Sequence, residues 1–146
     1  MTGSAAGQTG HGNIAVGFKT MCGLTSGGQN VAIGYAAAVA LASGNGNVLI
    51  GTSAGLTLSS GYGNVIIGAT AGTSVTTGIE NTILGSQVNP GNVNNTIAIG
   101  DGGGNIRIYV NSSGNMALGK TSPINAKLDV NGNTIVTGSI TSVCVS

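Results

Sequence analysis

From residue 10 to residue 85 the sequence repeats every 17 residues. Asparagine recurs at this spacing, and a glycine follows each asparagine four positions later. The asparagines are Asn13, Asn30, Asn47, Asn64 and Asn81, and the glycines are Gly17, Gly34, Gly51, Gly68 and Gly85. A second glycine rank keeps the same period at Gly10, Gly27, Gly44, Gly61 and Gly78. Five copies in strict register predict a chain of equivalent stacked units.

Each unit contains two stretches with strand character. The first is an apolar triplet such as Val48–Ile50, which ends at a glycine. The second alternates apolar and small residues, as in the pairs Val39 and Leu41, Leu56 and Leu58, and Thr73 and Val75. Glycine and asparagine between these stretches supply the left-handed backbone of tight corners. We therefore expect an all-β solenoid in which one 17-residue coil contains two strands.

The glycine-rich corners do not favour a nucleotide site. The stretch Gly44–Gly46 matches part of a phosphate-binding loop, but it opens no helix and has no lysine partner. A structural role in the corners accounts for both residue types.

The triplets carry apolar residues at all three positions, so both faces of this strand need a cover. One face can pack inside the coil, but a thin solenoid offers nothing for the other. Burial of each such side chain contributes roughly 1.5–3 kcal/mol, which favours association of identical chains along this stripe. The predicted contacts between chains are Val31, Ile33, Val48, Ile50, Val65 and Ile67. The pattern does not give the number of chains.

The register slips after Gly85, and the next copy of the motif, at residues 96–100, arrives two residues early. We place a boundary there, with a regular shaft over residues 1–88 and an irregular β transition or cap region over residues 89–146. Within the second region, Ile106, Ile108 and Val110 are expected on one strand face. Further short strands are expected around residues 127–130 and 134–136.

Composition excludes several functions. Charged residues make up only 5% of the chain and the net charge is +1, so no basic patch for nucleic acid is expected. No apolar run reaches the ~20 residues of a membrane helix, and the first ten residues do not resemble a signal peptide. Cys22 and Cys144 are distant in sequence, and each is expected to be a buried small apolar residue.

No catalytic, metal or cofactor site is predicted. His11 is the single histidine and is expected in a solvated corner, as is Glu80. Asp101 and Asp129 are isolated along the sequence. The four aromatic residues, Phe18, Tyr35, Tyr62 and Tyr109, are not expected to form a sugar-binding platform.

Two segments carry a resemblance to a known family. The copies at residues 30–34 and 47–51, with the small pairs at 54–55 and 71–72, resemble the repeats of bacteriophage tail fibres. They resemble more loosely the head repeats of trimeric autotransporter adhesins. Residues 115–138, NMALGKTSPINAKLDVNGNTIVTG, are similar to a segment near the end of tail fibre shafts. In such fibres this segment commonly precedes an intramolecular chaperone domain of the endosialidase type, which this sequence lacks. No recognisable virion-attachment domain precedes the repeats either.

The resemblance implies a parallel homotrimer in a virion or on an extracellular surface. Its partners would be further copies of the chain, other virion proteins and a host surface receptor. It also implies that Ser146 is a maturation end left by chaperone release, the alternative being that these 146 residues are part of a longer protein. The alternatives are a capsid decoration protein, a bacterial adhesin fibre and an ice-binding solenoid. The candidate ice columns, at residues 23, 40, 57, 74 and 25, 42, 59, 76, do not align threonines.

Overall fold

A computed structural model describes residues 10–120 and 126–135 of the chain. They form a single nine-stranded sheet whose strands follow one another in sequence order. The strands are β1 (Ile14–Val16), β2 (Val31–Ile33), β3 (Val48–Ile50), β4 (Val65–Ile67), β5 (Thr82–Leu84), β6 (Ile97–Gly100), β7 (Ile106–Val110), β8 (Met116–Leu118) and β9 (Leu128–Val130). This described part holds no helix of the length and apolarity that a bilayer crossing requires.

The first six strands pair in parallel, and each pairing joins equivalent positions of successive repeats. Val31 pairs with Val48, and Val48 with Val65, an offset of one 17-residue unit each time. Between β5 and β6 the offset falls to 15 residues, because Thr82 pairs with Ile97. The predicted solenoid and its two-residue slip are therefore confirmed.

The prediction of a second strand in each coil was wrong. Residues 35–40 and 52–57 form turns, so each coil contributes only one strand to the sheet. The small residues there adopt left-handed backbone, with φ of 53° at Ala36, 54° at Ala38 and 58° at Gly55. An extended strand cannot hold two such residues in three positions. The turn still bonds to its neighbours, since the Ala38 N–H donates to Ala54 O at 3.0 Å.

A narrow apolar core runs along the coil axis. Its members are the middle residues of the strands, the small residues of the turns and one branched residue at the far side of each coil. They include Ala32, Leu49, Ile66, Ile83, Ala37, Ala54, Ala71, Leu41, Leu58 and Val75, all with no solvent exposure. Of each predicted alternating pair only the second residue enters this core. Val39, Leu56 and Thr73 lie half-buried on the outside.

The coil path ends after β6. Strand β7 returns antiparallel to β6, β8 is antiparallel to β7, and β9 pairs in parallel with β8. A register irregularity at Ile99 and Gly100 places Gly100 opposite Ile106. As a result Ile106 packs against the core together with Tyr109. The prediction that Ile106 shares a face with Ile108 and Val110 was therefore wrong, because a bulge reverses the side on which a strand residue points.

The sheet continues through the boundary predicted near residue 88, and the reversal of strand direction lies at residues 101–105. The expected strand around Lys127–Val130 is present as β9. Thr134 and Ile135 lie outside any strand. The segment 121–125, Val136, Cys144 and Ser146 are outside the described residues.

Candidate functional site

The repeated asparagines form a hydrogen-bonded column, here called the asparagine ladder: Asn13, Asn30, Asn47, Asn64 and Asn81. The Asn47 Oδ1 accepts from the backbone N–H of Asn64 at 3.0 Å and from its Nδ2 at 2.9 Å. The Asn47 Nδ2 donates in turn to Asn30 Oδ1 at 2.9 Å and to Gly61 O at 2.9 Å. Every polar atom of this buried side chain is thus satisfied by an adjacent coil.

The ladder has a defined end. Asn81 Oδ1 accepts from the backbone N–H of Thr96 at 3.0 Å, and its Nδ2 donates to Val93 O at 2.7 Å. Thr96 occupies the asparagine position of the next coil, where the spacing is shortened. Its hydroxyl donates to Asn94 O within its own corner, so the column stops there.

Two glycine ranks let adjacent coils approach closely. A Cβ at Gly44 would lie 2.4 Å from Gly61 O, and one at Gly34 would lie 2.5 Å from Gly51 O. Gly34 also has a φ of 137°, a conformation that side chains disfavour. The predicted structural glycines and asparagines therefore determine the spacing between coils.

The strands expose a continuous apolar surface on the side opposite the core. In β2–β5 the middle residue is buried while the first and third residues point outward, as for Ala32 between Val31 and Ile33. The six residues predicted as chain contacts all occupy these outward positions. Ile33 and Ile67 are each 38% exposed. Ile66, which belongs to the same triplet, lies instead in the chain's own core.

We call this surface the apolar stripe and define it by two ranks that follow the strand pairings. The first rank is Ile14, Val31, Val48, Val65, Thr82, Ile97, Val110, Met116 and Leu128. The second rank is Val16, Ile33, Ile50, Ile67, Leu84, Ile99, Ile108, Leu118 and Val130. Both ranks cross from the regular coils into β7–β9 without interruption.

Sequence reasoning placed only the regular coils on this stripe and missed its extension through β6–β9. The available signal was the apolar alternation of Ile108 with Val110 and of Met116 with Leu118. The strand reversal keeps these residues on the outward side because pairing aligns Ile99 with Ile108 and Ile108 with Leu118.

Asp101 and Asp129, which are isolated along the sequence, each form an ion pair. Asp101 binds Arg107, with both Nε and Nη2 donating to Oδ2, and its Oδ1 accepts from the Gly103 N–H at 2.9 Å. The hydrogen bonds from Arg107, and then that from Gly103, lower the pKa of Asp101 to about 2. Asp129 pairs with Lys120, which links β9 to the end of β8.

His11 and Glu80 are exposed corner residues, as predicted. In the described ranges, no three histidine, cysteine, aspartate or glutamate side chains converge on a point where a metal ion could bind. The expectation of a buried Cys22 was wrong, since its thiol is free and exposed. Cys22 falls at the outward turn position that Val39 and Leu56 occupy in later coils, while Met21 takes the inward one.

Two of the four aromatic residues stack on each other, on successive coils. The rings of Phe18 and Tyr35 stack with centroids 5.8 Å apart and planes inclined by 21°. The Lys19 ammonium lies 5.6 Å from the Phe18 centroid. The pair spans only two coils, because Thr52 and Ala69 continue the column. Tyr62 lies in an exposed corner, and Tyr109 packs on the core.

An open groove of about 480 Å³ lies beside β7 and is lined by Asn89, Arg107, Tyr109, Lys120 and neighbouring backbone. Most of its polar side chains have partners within the chain. Arg107 and Lys120 form ion pairs, and Asn89 Nδ2 donates to Thr73 Oγ1 at 2.8 Å. The groove therefore offers few uncommitted groups to a ligand.

Three hydroxyl groups on the turn side of the coils also have partners within the chain. Thr25 Oγ1 donates to Ala42 O at 2.9 Å, and Ser59 Oγ donates to Thr76 O at 3.0 Å. Thr57 Oγ1 donates to Thr73 O at 2.7 Å. These side chains bond to the next coil of the same chain.

Comparison of the chain with family models, curated proteins and solved structures gives no match. The apolar stripe is therefore the candidate functional surface on structural grounds alone.

Proposed function

We propose that the chain is a non-enzymatic structural segment of a fibre shaft, of the kind found in bacteriophage tail fibres, and that it acts as a parallel homotrimer. The observation that carries this proposal is the apolar stripe. At about 4.8 Å between strands, the stripe is close to 40 Å long and two side chains wide. An exposed apolar surface of this extent favours an interaction site over a free surface.

The shape of the stripe favours another copy of the same chain as the partner. Its apolar side chains recur at the spacing of the coils, so a second copy aligned in parallel presents the same period to the first. The stripe follows the fibre axis, and association along it buries the outward side chains of every coil. The number of copies, three, rests on the resemblance of the repeats and of residues 115–138 to tail fibre shafts.

The contacts between coils support a mechanical role. The asparagine ladder and the glycine ranks bind each coil to the next through short, buried hydrogen bonds, which favours a stiff rod. Within such a fibre the specificity for a host surface would lie in another part of the assembly. The localisation proposed is the virion or another extracellular surface.

Light scattering on the full chain tests the proposal. The wild type should have about three times the mass of one chain, which is 14.0 kDa. The variant Ile67→Asp should fold and remain monomeric, because its charge would be buried at the interface but not in the coil. Ser60→Asp, on an exposed turn of the same coil, should keep the mass of the wild type. A monomeric wild type would contradict the proposal.

An ice-binding role has less support from the structure. Of the hydroxyl groups that would form an ice-binding face, those of Thr25, Thr57 and Ser59 donate to backbone carbonyls of the next coil. Absence of thermal hysteresis is expected, and its detection would favour the ice-binding alternative instead.

A further inference from the structure

One position of the apolar stripe is polar. Thr82, the first residue of β5, is flanked in its rank by Val65 on one side and Ile97 on the other. All other members of both ranks are apolar. Threonine has nearly the volume of valine, so the substitution changes the chemistry of the stripe at this point and hardly its shape.

The hydroxyl of Thr82 has no partner within the described part of its own chain. Its backbone N–H donates to Thr96 O at 2.8 Å, which fixes the residue in the sheet. Thr25, Thr57 and Thr96 differ, because the hydroxyl of each donates to a carbonyl of the same chain. Thr82 therefore presents a free donor and acceptor outward from a half-buried position.

The neighbouring coils leave the alignment of two copies poorly determined. Strands β2, β3 and β4 present identical outward pairs, a valine in the first rank and an isoleucine in the second. A slip of one coil, about 4.8 Å, would replace each valine with a valine and each isoleucine with an isoleucine over this section. Strand β5 differs at both positions, since it presents Thr82 and Leu84.

We infer that Thr82 sets the axial register between the copies of this chain. This inference rests on the homo-oligomer proposed above. In the aligned state the Thr82 hydroxyl groups of the copies meet, and each can donate to the next and accept from it. A slip by one coil would instead place each hydroxyl against Val65 or Ile97, where it would be buried without a partner. A single polar position in an apolar seam specifies register in this way.

Disulfide trapping in the full chain tests the inference. Two chains are prepared, one with Val48→Cys and one with Val65→Cys, both with Cys22→Ser and Cys144→Ser, and one carries a mass tag. They are unfolded together, refolded and oxidised. Disulfides between two Val48→Cys chains report aligned copies, and disulfides between the two different chains report a slip of one coil.

With Thr82 present, the slipped species should be about tenfold less abundant than the aligned one. With Thr82→Val in both chains, the two species should approach equal abundance, and the variant should fold because valine occupies this position in three other coils. Adding Val31→Thr to the Thr82→Val chains, which moves the polar position by three coils, should restore the aligned species.

Three outcomes would overturn the inference. An unchanged species ratio in Thr82→Val, or loss of assembly in that variant, would overturn it while leaving the homo-oligomer in place. Failure of Val31→Thr to restore alignment would also overturn it. If the cysteine variants that keep Thr82 form no disulfide between chains, and the wild type scatters as a monomer, the proposed function itself would be contradicted.

Discussion

Asn47 Oδ1 accepts two hydrogen bonds from Asn64, one from the backbone N–H at 3.0 Å and one from Nδ2 at 2.9 Å. The two residues are one coil apart and both are fully buried. A buried amide is costly unless its donors and its acceptor are paired. Here the same side chain repeats in the next coil and provides that pairing, so the ladder stabilises the stack only as a continuous column.

Replacing Asn47 with alanine should therefore destabilise the fold strongly. The change leaves the Asn64 N–H groups and Gly61 O without their partners in a buried position, at about 1–3 kcal/mol for each unsatisfied group. Urea unfolding followed by circular dichroism measures the loss. Asn45→Ala is the matched control, because Asn45 is exposed and its Oδ1 accepts only the exposed Gly28 N–H. Equal losses in the two variants would contradict the role of the ladder.

Gly44→Ala should prevent the close approach of two coils. Its Cβ would lie 2.4 Å from Gly61 O and 2.5 Å from Leu41 Cδ1, so the backbone of one coil must shift. We expect a loss of several kcal/mol or failure to fold, on the order of the largest single-substitution effects. Gly46→Gln in the same corner should cost far less, about 1–2 kcal/mol for its left-handed backbone at a φ of 63°. Nothing lies within 4 Å of a Cβ there, and Gln29 holds the equivalent position with a φ of 58°.

Variants of the neighbouring residues Ile66 and Ile67 should distinguish a loss of folding stability from a loss of assembly. Ile66 is fully buried in the coil, so Ile66→Ala should cost about 2–5 kcal/mol in unfolding free energy at each concentration tested. Ile67→Ala removes part of the apolar stripe, so its main effect should be a weaker assembly that dissociates on dilution. Sedimentation velocity over a dilution series distinguishes the two variants. Equal effects on dissociation would mean that the outward face of β4 is not an interface.

Asp101 should titrate with a pKa of about 2 because Arg107 and the Gly103 N–H stabilise its charged form. The folded pKa is below the ordinary value of 3.8, so the stabilisation is present above about pH 4 and is lost as the pH falls toward 2. Carbon-detected NMR of the carboxyl group measures this. Arg107→Gln should raise the pKa of Asp101 toward its ordinary value. An unchanged value in that variant would mean that Arg107 does not set it.

Much of the regular shaft follows from the sequence because its signals are local and repeated. The 17-residue spacing of Asn30, Asn47 and Asn64 predicts parallel pairing of equivalent residues. The triplets around Leu49 and Ile66 predict one inward and two outward side chains. The pattern recurs in five copies, so one ambiguous residue in a single copy does not change the predicted structure.

The second limb of the coil could not be predicted in the same way. Val39 and Leu41 alternate like a strand, but Ala36 and Ala38 take left-handed backbone. Alanine in a sequence does not indicate left-handed backbone. These two residues adopt it because the Ala36 N–H then donates to Phe18 O at 2.9 Å and the Ala38 N–H donates to Ala54 O at 3.0 Å. Contacts between coils decide this backbone, and local preference does not.

The sequence by itself determined the solenoid, its period, the identity of the ladder residues and the six outward positions of the regular coils. The tertiary structure decided how far the apolar stripe extends. The bulge at Ile99 and Gly100 turns Ile106 inward, and the antiparallel pairing then aligns Ile108 and Val110 with the ranks of β6. A bulge is defined by how two strands pair, so the sequence of either strand alone does not predict it. The continuity of the stripe into β9 therefore exists only once the chain has folded.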